Sequence, residues 1–345
     1  MEKIRCVVAG CGGYSGYFVP PLAQHAAFTL VGLADPARER SHSLRERLGR
    51  PTLPVFDSLR EALVEAQPEL VFVHSPLTAH YANCREALEA GCHVSVAKPF
   101  VNSIAEAREL IALSRATGRF ISVQQSARLG RAERIKQWLE DGTVGTPRFA
   151  HHYTYRERWR NLADYQKTET WPVINATLVH LVDQMRYWTG EDFVAACFRG
   201  ISVPWNPYRD PGVAVGWMMT ADGFALSLFQ SYVSKVCTAA GHHPYEHYHI
   251  QGDRAALMWT GPWGAGPILL SSPEEAEPRV LDAKGDDFSD VVRRLLDGLS
   301  LAVRNQGPIF CSAEDNLKTL AAMKAAELSA IRGGATVTVA EALEI

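Results

Sequence analysis

The segment VVAGCGGYSGYF, which begins at Val7, places several glycines directly after a short apolar run. Dinucleotide-binding turns use a first glycine for the tight turn, a second for close approach to the pyrophosphate, and a third small residue for helix–strand packing. A lone glycine motif also occurs in turns that bind nothing, so its context decides. The predicted cofactor-binding residues of this segment are Gly10, Gly12, Gly13, Tyr14 and Ser15, with Ser15 at the third motif position.

Asp35 ends the second apolar run, about 20 residues beyond the third motif position. A carboxylate at that place hydrogen-bonds the hydroxyls of the adenosine ribose and repels a 2′-phosphate, which favours NAD. Arg38 lies close by in the sequence and is the residue type that accepts a 2′-phosphate, so NADP stays an alternative.

Two further side chains could move a proton. Lys98 follows the apolar run Val94–Ala97, where ligands bind at the carboxyl edge of open α/β sheets, unless it is only a surface lysine before a turn. His180 lies in a long apolar helical pattern with Asp183 three residues later, a spacing that lets the carboxylate orient the imidazole. A histidine in such a pattern is otherwise a core residue.

Four histidines, His242, His243, His247 and His249, raise a metal hypothesis. His247 and His249 share one face of a predicted strand, and Glu246 faces the other way. No acidic residue or cysteine is placed as an obvious further ligand, so we expect no metal.

Composition narrows the class of protein. The 345 residues carry a net charge of −3, which gives no electrostatic reason to expect nucleic acid or anionic lipid as a partner. No apolar run has the roughly 18 to 20 residues that span a bilayer. The seven cysteines are scattered without CxxC spacing, which is typical of a reducing compartment rather than a disulfide framework. We expect a cytoplasmic protein.

The order of predicted strands and helices differs between two parts of the chain, and it predicts how these residues are positioned. Through residue 125, apolar strand-like runs alternate with helical patterns, which predicts a doubly wound parallel sheet of the α/β class. After Arg131, successive strand-like runs with few helices predict an α+β domain on an antiparallel sheet. We therefore expect two domains, residues 1–125 and 126–345. The predicted strands of the second are 148–155, 194–203, 213–220, 224–233 and 245–251, with helices at 132–140, 177–188, 287–303 and 313–331.

Two longer segments resemble one family. HSPLTAHYANCREALEAGCHVSVAKPF, from His74 to Phe100, is similar to the segment of the glucose–fructose oxidoreductase / inositol dehydrogenase / MocA family that runs from a (T/S)P-x-x-x-H helix start to a Glu-Lys-Pro signature. The ending SAEDNLKTLAAMKAAELSAIRGGATVTV resembles the closing helix and strand of that family. The resemblance implies an NAD(P)-binding Rossmann domain followed by a substrate-binding and oligomerisation domain with an open, mainly antiparallel sheet.

The resemblance also implies roles for individual residues. Ser75 and Pro76 would lie against the nicotinamide half of the cofactor, and His80 would help to seat it. Lys98, followed by Pro99, matches the signature lysine, which reaches the nicotinamide ribose and the substrate hydroxyl. The chain departs from the family at Ala97, where the signature has glutamate.

The second half of the family site, Asp-x-x-x-His, corresponds here to WPVINATLVHLVDQMRYWTG. His180 takes the histidine position, but Ala176 stands where the family has its first aspartate. On an α-helix, Ala176, His180 and Asp183 share one face, and Asn175 or Thr177 could partly replace the lost group by hydrogen bonding.

A segment rich in aromatic and arginine side chains, from His151 to Trp171, suits sugars, because ring faces cover C–H patches while arginines serve hydroxyls. An oligomer interface would use the same residue types. The expected substrate-binding residues are Lys98, Tyr153, Tyr155, Arg156, Arg158, Trp159, Thr177 and His180, and the expected catalytic residues are Lys98, His180 and Asp183.

Together these features predict an NAD(P)-dependent oxidoreductase that transfers a hydride between the cofactor and a secondary hydroxyl of a sugar, polyol or glycoside. One alternative is an enzyme that uses tightly bound NAD as a transient redox relay for elimination, glycoside cleavage or epimerisation. Another is a non-catalytic NAD-binding sensor or scaffold. Because the family usually pairs subunits through its sheet, we expect a homodimer or homotetramer.

Overall fold

The chain divides into two compact units in the computed structural model. The first combines Met1–Gly130 with Asp287–Leu320, and the second combines Arg131–Asp286 with Ala321–Ile345. This division differs from the boundary expected at residue 125, because a later segment of the chain returns to the first unit. The described residues are 2–160, 162, 164–167, 170–235, 245–262, 264–283 and 285–345.

The first unit is built on a six-stranded parallel sheet in the order β3-β2-β1-β4-β5-β6. The order reverses between β1 and β4, which is where ligands bind in doubly wound folds. The strands are nearly continuous apolar runs because helices cover both faces. They are β1 (Ile4–Ala9), β2 (Phe28–Ala34), β3 (Val55–Phe56), β4 (Leu70–Val73), β5 (His93–Ala97) and β6 (Ile121–Gln124).

Five helices alternate with these strands. α5 begins with a capping box in which the Ser103 hydroxyl accepts from the Glu106 backbone and the Glu106 side chain accepts from the Ser103 backbone. α1 continues through Pro20 and Pro21 in its middle. The helices are α1 (Gly13–Gln24), α2 (Arg38–Arg47), α3 (Leu59–Ala66), α4 (Leu77–Glu89) and α5 (Ile104–Thr117), followed by a 3₁₀ turn at Ser126–Arg128.

A helix from late in the sequence completes the core of this unit. The buried face of α9 (Phe288–Val303) includes Leu295, Leu296 and Leu299. These leucines belong to the same apolar cluster as Phe18 of α1 and Phe72 of β4. α9 therefore belongs to the first unit, although 156 residues of the second unit precede it in the chain.

The second unit contains a nine-stranded sheet in the order β14-β13-β12-β11-β7-β10-β9-β8-β15. All neighbours are antiparallel except β7 and β10, which are parallel. This confirms the expected open, mainly antiparallel sheet. The strands are β7 (Pro147–Tyr155), β8 (Phe193–Ile201), β9 (Val213–Thr220), β10 (Ala225–Ser231), β11 (Tyr245–Gly252), β12 (Ala256–Pro262), β13 (Ile268–Ser271), β14 (Arg279–Asp282) and β15 (Val337–Thr338).

One face of this sheet carries a core and the other is open. Along β7, for example, Ala150, His152 and Thr154 are buried while the residues between them are more exposed. The buried face shares its apolar cluster with α6, α8 and α10. The helical elements are α6 (Arg131–Glu140), α7 (Asp164–Lys167), a π turn (Ile174–Leu178), α8 (Val179–Thr189), the part of α10 (Ala313–Ile331) from Ala321 onward, and α11 (Val339–Leu343). In the described ranges, no helix is both long and apolar enough to cross a membrane.

Candidate active site

The glycine turn follows β1 at the point where the strand order reverses. Gly10 has a φ of +99°, and a Cβ there would lie 2.5 Å from the Ser75 backbone nitrogen, so only glycine fits. Gly12 and Gly13 are exposed, and a Cβ on either would meet no heavy atom within 4 Å. The turn is thus fixed on its inner side and open on its outer side.

This open side fits the pyrophosphate of a dinucleotide. Helix α1 begins at Gly13 without a side-chain cap and without an acidic residue in its first turn. Its first N–H groups and its positive dipole end therefore favour an anion. Ser15, at the third motif position, is buried, and its hydroxyl donates to the Gly10 carbonyl at 2.6 Å.

Tyr14 does not face the open side of the turn. Its hydroxyl donates to Gln124 Oε1 at 2.9 Å, and its ring packs edge-on against His74 with centroids 4.8 Å apart. Burial raises the pKa of Tyr14 above its usual value. Tyr14 therefore supports the turn from inside the unit, and the expected contact between its side chain and the cofactor is not favoured by this geometry.

Asp35 directly follows β2, beside the glycine turn. Its Oδ2 accepts from the Cys11 backbone at 2.7 Å, and its Oδ1 accepts from the Ala37 backbone at 2.9 Å. A carboxylate has about four lone-pair positions, so both oxygens keep capacity for ribose hydroxyls. Arg38 is exposed and its Nη1 lies 3.2 Å from Asp57 Oδ2. The arrangement fits NAD.

The loops after β4 and β5 are joined by His80. Its Nε2 lies 2.9 Å from the Ser75 carbonyl, and its Nδ1 lies 2.9 Å from the Pro99 carbonyl and 3.1 Å from that of Phe100. Burial, reinforced by the charge of Lys98, lowers the pKa of His80. The imidazole thus supports the loops that carry Ser75 and Lys98. Both ring nitrogens face backbone carbonyls, so His80 would help to seat the cofactor through these loops and not by touching it.

Lys98 follows β5 at the carboxyl edge of the parallel sheet and is half-buried. The neighbouring strand β4 ends at Val73, and the loop after it holds Ser75 and Pro76. Pro76 is the N-cap residue of α4, and the Ser75 hydroxyl accepts from Asn83 at 2.9 Å. The first unit therefore brings the glycine turn, Asp35, Ser75, Pro76, Lys98 and Pro99 to one edge of its sheet.

The proposed catalytic helix of the second unit begins with a π turn. Residues Ile174–Leu178 form this turn, and α8 follows from Val179. The winding over Ala176 is therefore that of a π turn and not of an α-helix, and the expectation that Ala176, His180 and Asp183 share one face stays a prediction. The Asn175 amide donates to the Thr170 carbonyl at 2.8 Å. π turns inside helices often mark functional sites.

His180 and Asp183 lie in the first turns of α8. His180 is partly buried, and Asp183 is fully buried. Asp183 Oδ1 lies 4.0 Å from Arg186 Nη1, while Arg186 also binds Asp192 at 2.7 Å. Lys98 belongs to the first unit and His180 to the second, so their meeting at one nicotinamide ring stays a proposal.

Part of the aromatic and arginine segment converges near the π turn. The Thr177 and Tyr232 hydroxyls are hydrogen-bonded to each other. Arg158 Nη1 donates to the Tyr232 hydroxyl at 3.3 Å, and its guanidinium lies over the Tyr232 ring. Trp159 donates from its ring nitrogen to the Ser234 carbonyl at 3.3 Å. Arg158 and Tyr232 thus form a polar group with Thr177, which lies three residues before His180 in the sequence.

Tyr153, Tyr155 and Arg156 do not join this group. Tyr153 and Tyr155 are 38% and 36% exposed on the open face, because side chains alternate along β7. Arg156 is committed to Glu246, with its Nη2 2.7 Å from the carboxylate. The expected substrate contacts of the two tyrosines stay a proposal.

The histidine cluster of β11 lies on the same open face. His247 stacks on Tyr153 with centroids 5.7 Å apart, and Glu246 is buried on the opposite face, as predicted. Within the described part of the chain, no group of three or more histidine, cysteine or acidic side chains could hold a metal ion. His242 and His243 lie outside the described residues.

Three residues of these sites were not predicted from the sequence. His74 ends the apolar run of β4, Gln124 ends β6, and Tyr232 follows β10. The signal for the first two was present, because a polar residue that closes a buried parallel strand lies at the ligand-binding edge.

Comparisons with known proteins agree with this architecture. Residues 4–125 match a family described as an oxidoreductase family with an NAD-binding Rossmann fold. The putative oxidoreductase YceM of Salmonella typhimurium is 35% identical over 115 residues, 33% of this chain and 36% of that protein. The D-glucoside 3-dehydrogenase of Escherichia coli is 29% identical over 117 residues, 34% and 33% of the two proteins. The matches thus span about a third of these relatives.

A solved structure extends the likeness of fold to the whole chain. An inositol dehydrogenase homologue from Azotobacter vinelandii, in complex with NADH and myo-inositol, has a TM-score of 0.82 and 19% identity, covering 98% of both chains. The expected fold class is thereby confirmed, and the expected NAD cofactor agrees with the NAD-binding family that residues 4–125 match. Residues 4–125 thus match the NAD-binding Rossmann domain of an oxidoreductase family, and the solved structure shows that the likeness of fold extends over both units of the chain.

Proposed function

We propose that the protein is an NAD-dependent dehydrogenase or reductase that acts on a secondary hydroxyl, a CH–OH group, of a sugar, polyol or glycoside. The observation that carries the proposal is Lys98 at the carboxyl end of β5, beside the loop of Ser75 and Pro76 and in the same sheet edge as the glycine turn. His80 joins the two loops through the Ser75 and Pro99 carbonyls.

The substrate class rests on relatives and on polar chemistry. Two of the proteins compared above carry names for chemistry on a glucoside and on an inositol, both rich in hydroxyl groups. In this chain, the partly buried Arg158 guanidinium lies beside the buried Thr177 and Tyr232 hydroxyls, which are hydrogen-bonded to each other. Such groups bind sugar hydroxyls by donating and accepting hydrogen bonds.

Bound NAD supplies the acceptor or donor of the hydride. In our proposal, the Lys98 amine holds the substrate hydroxyl and the His180 imidazole takes its proton during oxidation, or returns it during reduction. Asp183, one turn further along α8, orients the imidazole. Ala176 leaves no carboxylate before His180, so the histidine itself must exchange the proton with solvent.

The test is a panel of sugars, polyols and glycosides incubated with NAD while reduced nicotinamide is followed by absorbance. We expect at least one substrate, and a loss of about 10²- to 10⁴-fold in kcat for Lys98→Met and for His180→Gln. Matched controls are Lys136→Met, at a lysine paired with Glu140, and His249→Gln, on the open sheet face. Equal losses in the controls would contradict the assignment.

Other outcomes separate the alternatives. Product formation with NAD that stays bound through purification, and with no net reduced nicotinamide, would indicate the transient redox relay. NAD binding without turnover of any compound, over several pH values, would indicate a sensor or scaffold.

We also propose a homodimer or homotetramer that pairs through the open sheet face. Phe149, Tyr153, Val215 and Met219 are each between 37% and 40% exposed on that face. Light scattering after size-exclusion chromatography measures the assembly, and a monomer at micromolar concentration would refute it.

The described cysteines carry free thiols, which supports a cytoplasmic location.

A further inference from the structure

A chain of buried polar side chains lies beneath the cofactor-binding edge. His74 follows β4, and Gly10 follows β1, the two strands between which the sheet order reverses. His74 is buried and touches Ser15 on one side and Gln124 on the other. None of these three side chains has a role in the proton transfer proposed above.

The orientation of the Gln124 amide is fixed by a carbonyl. Gln124 Nε2 lies 3.2 Å from the Ser95 carbonyl oxygen, which can only accept. The amide nitrogen therefore faces Ser95 and His74, and the amide oxygen accepts from the Tyr14 hydroxyl at 2.9 Å. Since this nitrogen donates to His74 Nε2 at 3.1 Å, that ring nitrogen is an acceptor.

The tautomer of His74 follows from this arrangement. With Nε2 as acceptor, Nδ1 carries the proton and donates to the Ser15 hydroxyl at 2.9 Å. The Ser15 hydroxyl in turn donates to the Gly10 carbonyl at 2.6 Å. Burial lowers the pKa of His74 to about 3, so the ring stays neutral at ordinary pH. Each donor in this series of hydrogen bonds, from Tyr14 through Gln124 and His74 to Ser15, therefore has an acceptor.

Small side chains make the arrangement possible. Val73 pairs with Val96, and Ala97 pairs with Gln124, so Ala97 lies at the level of the strand ends that His74 and Gln124 occupy. A methyl group at Ala97 leaves room for the Gln124 amide to reach the imidazole. At Gly10, a Cβ would lie 2.6 Å from the His74 carbonyl carbon, so the turn packs directly on the His74 backbone.

We propose that His74 is a positioning residue for NAD, which holds the Gly10–Ser15 turn through Ser15 without touching the cofactor. This deepens the proposed function at its cofactor site and rests on NAD binding there. The turn is also held by the packing of Gly10 against the His74–Ser75 peptide and by the Cys11 hydrogen bond to Asp35, but neither of these contacts reaches Ser15. Because the imidazole donates on one side and accepts on the other, an apolar ring of similar size cannot replace it.

The test is the dissociation constant of NAD, measured by calorimetric titration well below the unfolding temperature. His74→Phe keeps an aromatic ring but removes both hydrogen bonds, and we expect about tenfold weaker NAD binding. ADP-ribose, which lacks nicotinamide, should lose the same factor, because the affected contact is the pyrophosphate turn. His74→Asn keeps a donor near the Nδ1 position and should recover most of the affinity.

His93→Phe is the matched control. His93 is also buried, but it begins β5 at the opposite end of the sheet, and its Nδ1 accepts from the Phe120 backbone at 3.2 Å. This variant should lose stability and bind NAD within twofold of the wild type. Equal weakening in His93→Phe and His74→Phe would reduce His74 to a structural role and overturn the proposal.

A second variant keeps the test decisive if His74→Phe does not fold. Ser15→Ala removes one oxygen atom and breaks the same link, so it should weaken NAD and ADP-ribose binding by a similar factor. Unchanged binding in Ser15→Ala, or a loss seen for NAD but not for ADP-ribose, would overturn the proposal. A protein that binds NAD yet turns over no sugar would contradict the proposed function and leave this test intact.

Discussion

The glycines of the first turn act through different physical effects, and substitution separates them. Gly10 needs its positive φ and the missing Cβ, because the Ser75 backbone lies in the way. Gly12 is exposed, has a negative φ of −76°, and borders open space. The first glycine therefore serves the fold, and the second serves the ligand.

Gly10→Ala should consequently reduce the stability of the protein, whereas Gly12→Ala should reduce its affinity for NAD. Gly10→Ala combines backbone strain with a backbone clash, and we expect a loss of about 3 kcal/mol or more in unfolding free energy. Gly12→Ala should leave stability within about 0.5 kcal/mol, since surface changes are usually that small, but weaken NAD binding by about 100-fold or more because its methyl group occupies the pyrophosphate space. Urea unfolding measures the loss of stability, and NAD titration measures the loss of affinity. Normal NAD binding by Gly12→Ala would show that the pyrophosphate does not lie against Gly12.

Asp35 should set the choice between NAD and NADP. Asp35→Ser removes the charge that repels a 2′-phosphate, and we expect the preference for NAD to fall by about tenfold or more in the ratio of kcat/KM, or in the ratio of dissociation constants. Stability should also fall, because Cys11 and Ala37 lose their acceptor. Arg38→Ala is the control, and a large change in NAD affinity there would assign the recognition to Arg38 instead.

Buried neutral histidines should make the protein sensitive to acid. Burial lowers the pKa of His74 to about 3, whereas an unfolded histidine titrates near 6.5. Between these values the unfolded chain binds the extra proton, so stability is full above pH 6.5 and is lost as the pH falls. At pH 5 this loss amounts to about 2 kcal/mol for His74.

The measurement compares urea unfolding of the wild type and His74→Phe at pH 7 and pH 5. The variant should be less stable at pH 7 but should lose about 2 kcal/mol less between the two pH values. His93 and His152, whose pKa values burial lowers to about 4, add a background that both proteins share. An identical loss in both proteins would mean that His74 is protonated in the folded state.

At the scale of elements, hydrophobic periodicity and turn-forming residues predicted most of the helices and strands. The alternating apolar runs of the first unit and strands β7 to β11 of the second were visible in the sequence. β12, β13 and β14 were missed because glycines and prolines between residues 261 and 267 interrupt short strands. The parallel pairing of β7 with β10 depends on contacts distant in sequence, which local patterns do not contain.

The π turn is the element that sequence periodicity could not predict. Ile174, Leu178 and Val179 fit the apolar face of an ordinary helix, and only packing selects the extra residue in the turn. Since π turns behave as single-residue insertions in a helix, deleting Ala176 should restore α-helical winding and rotate the preceding side chains away from His180.

We expect the chain lacking Ala176 to keep its helix content and NAD affinity while losing about 100-fold or more in turnover, as for misplaced catalytic groups. Circular dichroism, NAD titration and kcat give the three readouts. Ala176→Ser, which keeps the length of the turn, should retain turnover. Normal turnover after the deletion would separate the π turn from function.

At the scale of the whole molecule, the division into units depends on a contact that no local pattern contains. The boundary expected at residue 125 matched the change of rhythm in the sequence, whereas the structure adds Asp287–Leu320 to the first unit. The amphipathic pattern of α9 predicted a helix with one buried face, but it did not indicate which of two cores would receive that face.

This division predicts how fragments behave. A fragment of residues 1–130 lacks α9, so the apolar surface of Phe18 and Phe72 loses Leu295, Leu296 and Leu299 as neighbours. Losing the contacts of three buried leucines costs about 8 to 15 kcal/mol, which is comparable with the roughly 5 to 15 kcal/mol that stabilises a domain, so the fragment should not fold cooperatively. Joining residues 1–130 to 287–320 with a flexible linker of about 15 glycine and serine residues should restore folding and NAD binding.

Cooperative urea unfolding and NAD titration distinguish the two fragments, and Leu296→Asp in the joined fragment is the control, because a buried charge at that position should abolish folding. If residues 1–130 fold and bind NAD alone, α9 is dispensable and the boundary near residue 125 is the physical one. If only the joined fragment does so, the NAD-binding unit is discontinuous in sequence, and the two chain segments that bracket the second unit are held together by the same core that supports the glycine turn.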